Sequence, residues 1–137
     1  MKVKLFAVLA LVAAPLFADT TLFTKYEAVR QGLLKDSLKE TQTTAKDLAA
    51  AAREAKSAKV AAAAEKVAKS PDIAKARAAF GALSDEMIAV RKAAKGDRPA
   101  VAYCPMVDQS WLQEKGEIGN PYDTSMKLCG MFQDDEE

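Results

Sequence analysis

The chain has 137 residues, with 20 Lys and Arg against 19 Asp and Glu, no His, two Cys and a single Trp. That length suits one small domain near the lower end of comfortable core size, and the near-neutral charge argues against nucleic acid or an anionic membrane as partner. Without His the usual general base, the usual zinc ligand and any Ser/His or Cys/His relay are missing, so an enzyme is not expected.

The chain opens MKVKLFAVLALVAAPLFA. Lys2 and Lys4 form a positive start, Leu5 to Ala14 an apolar run, and Pro15 breaks it before the small-residue end at Ala18. This pattern predicts a secretory signal peptide over residues 1–18, cleaved after Ala18. The alternative is an uncleaved N-terminal anchor, but the run is too short to span a bilayer. No Cys stands directly after the cleavage point, so a lipoprotein anchor is not indicated. Cleavage removes two lysines and leaves 18 basic groups against 19 acidic ones. The expectation is a periplasmic or otherwise exported chain, free of membrane after cleavage, in a compartment where cysteines can pair.

Residues 19–96 read as helices. Leu22, Phe23, Tyr26, Val29, Leu33 and Leu34 recur at helical spacing and give the first helix one apolar face. A break follows at Lys35-Asp36. Ser37 and Glu40 form an S-x-x-E capping box that starts the next helix. The Ala-rich stretch from Thr41 to Lys69 favours helix strongly, as one long helix or as two with a kink near Ser57. Ser70-Pro71-Asp72 opens the last helix, with Ser70 as N-cap and Pro71 in the first position. Gly96 closes it. Alanine faces bury little area per contact. The core is therefore expected to rest on Phe23, Tyr26, Leu33, Leu34, Leu38, Leu48, Ile73, Phe80, Leu83 and Ile88. The expected fold class is all-α, an up-and-down bundle of three or four helices.

Composition changes at Asp97. Residues 97–133 contain the only Trp, both cysteines and Met106, Met126 and Met131. Pro105, Gly116, Gly119, Pro121 and Gly130 divide this stretch into turns, and Asn120 can hold one of them through its side chain. It reads as an irregular C-terminal cap of the same domain, followed by a frayed acidic end at 134–137.

Each cysteine has a methionine two positions on, as Cys104–Met106 and Cys129–Met131. Thiolate and thioether are soft donors that select Cu(I) and Ag(I). Residues two apart on an extended stretch point to one side, and Met126 lies one tight turn before Cys129. A sulfur site from these five residues is one reading. The other is a Cys104–Cys129 disulfide, the usual fate of a pair in a small exported domain, with the methionines as core filler. The two can also coexist, a disulfide leaving a weaker thioether site. Tyr103, Trp111 and Tyr122 either shield a metal or pack the cap onto the helices.

Tyr103-Cys104-Pro105-Met106, then Trp111-Leu112, Glu117-Ile118-Gly119-Asn120-Pro121-Tyr122, Met126 and Cys129-Gly130 occur in that order. Together with Tyr26-Glu27-Ala28 and Ala76-Arg77-Ala78-Ala79-Phe80, this series resembles an exported helical domain of unknown function. That domain occurs alone and fused to CusB-type adaptors of heavy-metal efflux pumps. The resemblance implies copper or silver handling, with Cys104, Met106, Met126 and Cys129 as ligands. It also implies an efflux adaptor or metallochaperone as partner. Met131 lies outside that pattern and rests on its spacing alone. Related Cys-Pro-Met segments often continue with His; Val107 stands there in this chain, so the implied site is purely sulfur.

Overall fold

The structure, a computed structural model, describes residues 16–134. The signal-peptide reading falls mainly outside these residues; Leu16, Phe17 and Ala18 form the first turn of α1. Of the acidic end, only Asp134 lies within them, and it is exposed.

Four helices come first: α1 (Leu16–Leu34), α2 (Leu38–Glu54), α3 (Ala58–Ala68) and α4 (Ile73–Ala93). Helices adjacent in sequence pack against each other, and α4 also meets α1. The Ala-rich stretch is two helices. Both α1 and α2 end in the same way. The Ser37 N–H donates to the Gly32 carbonyl and the Asp36 N–H to that of Leu33; Ser57 and Lys56 repeat this with Ala52 and Arg53. This is the Schellman closure. It puts Asp36 (φ 53°) and Lys56 (φ 57°) in the left-handed region. The next residue is in each case a serine N-cap. Ser37 Oγ accepts from the Glu40 N–H, while the Glu40 carboxylate turns away to Lys35. Ser57 makes no side-chain cap bond.

The start of α4 differs from the sequence reading. Asp72 is the N-cap, accepting from the Lys75 N–H at 2.8 Å. Ser70 is buried instead, and its hydroxyl donates to the Lys66 carbonyl at the end of α3. Asp-x-x-Lys won over Ser-Pro because Ser70 was needed to satisfy the preceding helix.

The larger correction concerns the cap. It contains a three-stranded antiparallel sheet, so the chain is not purely all-α. Strands β1 (Ala100–Cys104), β2 (Gln109–Gln113) and β3 (Met131–Phe132) are ordered β2-β1-β3. Ala102 stands opposite Trp111 on one side and Phe132 on the other. A single 3-10 turn, Thr124–Met126, lies between β2 and β3. The β1–β2 turn needs Asp108 at φ 50°. The sequence hid this sheet because its strands are short, and one has only two residues.

The sheet meets the bundle through β2 on α4. One hydrophobic cluster runs through both parts. Leu22, Tyr26, Val29, Leu33, Leu48, Val60, Val67, Phe80, Leu83 and Met87 from the helices join Ala102, Cys104, Trp111 and Leu112 from the sheet. Of the expected core, Phe23, Leu38, Ile73 and Ile88 are only partly buried against it, and Leu34 is also only half-buried.

Candidate sulfur site

Cys104 ends the central strand and is fully buried. Cys129 lies just before β3 and is half-buried. The two are joined as a disulfide, with a Cα–Cα separation of 5.5 Å. Closing a loop of 25 residues contributes about 3–4 kcal/mol in the chain-entropy account.

The predicted methionines lie in different settings. Met126 ends the 3-10 turn, and its carbonyl accepts from the Cys129 N–H at 2.9 Å. Met131 opens β3 opposite Tyr103 and is 56% exposed. Met106 lies in the β1–β2 turn and is 72% exposed. These two methionines are therefore not core filler. Leu128, beside Cys129, is 67% exposed. Among the described residues no group of three or more His, Cys, Asp and Glu side chains is arranged to hold a metal ion.

The three aromatic residues have separate roles. Tyr103 donates to Asp108 at 2.7 Å, which holds its phenol above the usual tyrosine range. Trp111 is buried, edge-on to Tyr122, and its indole N–H donates to Gln113 Oε1. Trp111 also lies against Gly130, the residue after Cys129: a Cβ on Gly130 would lie 2.7 Å from Trp111 Cη2. Tyr122 packs on Phe80, which stacks on Tyr26. Trp111 and Tyr122 thus join the cap to the helices.

A chain of hydroxyls runs along this joint. The Leu112 N–H donates to Tyr26 Oη at 3.2 Å. Tyr26 Oη is 2.7 Å from Ser84 Oγ, which is 2.9 Å from Tyr122 Oη. Tyr122 donates to the Ser110 carbonyl at 2.6 Å. Each hydroxyl has one proton and the last acceptor is a carbonyl. The protons must therefore point one way, from Tyr26 through Ser84 to Tyr122. Burial first of all pushes both phenols far above their usual range.

Side chains outside the predicted set position the second cysteine. Asn120 is buried; its Nδ2 donates to the Cys129 carbonyl and its Oδ1 accepts from the Tyr122 N–H. Gln113 Oε1 accepts from Trp111, the Gly119 N–H and Arg30. Arg30 pairs with Glu27 and donates to the Gly119 carbonyl at 2.6 Å. Arg77 donates to the Leu33 and Pro121 carbonyls and pairs with Asp36. A sequence signal for Arg30 existed: it falls four residues after Tyr26 and four before Leu34, on the apolar stripe. Gln113 gave none.

Residues 22–98 match the family described as a protein of unknown function, DUF3347, and the chain belongs to that family. The match covers α1 from Leu22 to the end of α4 and stops before β1; the sulfur residues lie beyond it. No curated protein and no solved structure matches the chain. No helix among the described residues is long and apolar enough to cross a membrane.

Proposed function

We propose that this is an exported protein that binds Cu(I) or Ag(I) at its sulfur-rich end, buffering the ion or passing it to a heavy-metal efflux adaptor or metallochaperone. One observation carries the reading: two cysteines 5.5 Å apart at Cα are flanked by the exposed thioethers of Met106 and Met131. Soft donors grouped at one accessible end suit a soft, exchangeable cargo. The resemblance to domains fused to CusB-type adaptors supports the same reading.

The closed disulfide supplies no thiolate, so the oxidised chain offers thioethers alone. Reduction takes up two electrons and two protons and yields two thiols already near each other. Metal binding then releases those protons. Cys104 and Cys129 are the principal ligands in this reading, with Met106, Met126 and Met131 completing the set. Ligand exchange with a partner's sulfurs, one at a time, would transfer the ion.

A second reading, a disulfide-tied helical interaction module without metal, is favoured by the full burial of Cys104. Anaerobic Cu(I) titration against a chromophoric chelator separates the two. The expected result is one-to-one tight binding only after thiol reduction, lost in Cys104→Ser. Failure to compete in either redox state would leave the module reading.

A further inference from the structure

The two cysteines of the disulfide are not equally exposed. Thiol–disulfide exchange needs a thiolate to reach one sulfur from the side opposite its partner, so access decides which sulfur is attacked. Cys104 is 0% exposed. It lies on the central strand, with β2 on one side and β3 on the other, within the same buried cluster as Ala102, Trp111 and Leu112. An approach to it would have to displace core. Cys129 is half-buried on the segment leading into the two-residue edge strand. Leu128 before it is 67% exposed and Met131 after it 56%.

That segment has few other ties. Its ladder to β1 consists of Ala102–Phe132 and Tyr103–Met131, with the Gln133 N–H donating to the Val101 carbonyl. Asn120 adds bonds to the Lys127 and Cys129 carbonyls. Gly130 against Trp111 closes the inner side.

The geometry points to Cys129 Sγ as the sulfur at which a partner dithiol opens the bond. A partner thiolate attacks Cys129 Sγ, an S–S bond forms between them, and the Cys104–Cys129 bond breaks. Cys104 leaves as thiolate and takes a proton from solvent. The partner's second thiolate, its proton lost to solvent, then attacks the mixed disulfide. Cys129 leaves as thiolate and is protonated in turn. The partner ends as a disulfide and this chain has gained two electrons. The inference rests on the proposed function only for its premise that the bond opens in use.

The test contains no metal, so a failed copper titration and a failed exchange experiment are separate results. The oxidised protein receives a short pulse of cysteamine in native buffer. It is then quenched in acid, alkylated with N-ethylmaleimide under denaturing conditions, and its peptides are weighed. The expected outcome is the cysteamine adduct on the Cys129 peptide and maleimide on that of Cys104, favoured by roughly tenfold or more. Equal labelling, or the adduct on Cys104, overturns the proposal. So does opening whose rate follows global unfolding across a denaturant series. As a second readout, the free thiol of Cys104→Ser should react with an aromatic disulfide faster than that of Cys129→Ser; the reverse order overturns the proposal.

Discussion

Gly130 has no room for a side chain. A Cβ there would meet Trp111 Cη2 at 2.7 Å and Ile118 Cγ2 at 3.1 Å. Trp111 cannot give way easily, because it is buried and its indole is held by Gln113. Gly130→Ala is expected to cost about 1–3 kcal/mol by overpacking. The cost should appear in chemical denaturation of the oxidised protein. An unchanged midpoint would mean that the Trp111 ring does not press on Gly130. Asn120 is the other decisive residue at this scale. Its amide satisfies the Cys129 carbonyl and the Tyr122 N–H within one loop, and a buried amide without partners would be costly.

At the scale of elements, the bundle depends on how closely its helices approach. A Cβ on Gly32 would lie 2.8 Å from Thr41 Oγ1 and 2.9 Å from the Thr41 backbone nitrogen. Backbone cannot rotate away as a side-chain tip can. In an isolated helix, Gly→Ala would gain about 1 kcal/mol. Here Gly32→Ala is expected to reverse that sign and lower stability by about 1–3 kcal/mol through the α1–α2 contact. A thermal melt that rises instead would show that α1 and α2 can separate freely. The cap is an element of a different kind: a short sheet whose third strand pairs through two residues and one disulfide.

The whole molecule is joined along the Tyr26–Ser84–Tyr122 chain, which links α1, α4 and the cap. Burial keeps both phenols neutral, their folded values lying far above the ordinary 10.0. The sign follows from that. Below about pH 10 both states carry neutral phenols, so this contribution to stability is complete. Above it the unfolded chain ionises while the folded one resists, and stability falls as pH rises. Phenolate absorbance from Tyr26 and Tyr122 is expected to appear together, in one step with loss of helical circular dichroism. Their stepwise ionisation with the helices intact would contradict the buried joint.

Much of the bundle was legible in the sequence. Apolar spacing marked the face of α1, alanine content marked α2 and α3, and Ser37 marked the start of α2. These signals are local, because helix bonds and caps join residues a few positions apart. The sulfur residues were legible too, as residue types in a pattern. Their pairing was not: spacing allowed both a disulfide and an open thiolate site. Bringing Cys104 and Cys129 to 5.5 Å at Cα depends on β1 meeting β3, on Asn120 holding the intervening turn and on Gly130 resting against Trp111. Those contacts join positions far apart in the chain, and no local period encodes them. The tertiary structure alone decided that Cys104 is buried and Cys129 only half-buried, because burial follows from which elements cover a residue rather than from its neighbours in sequence.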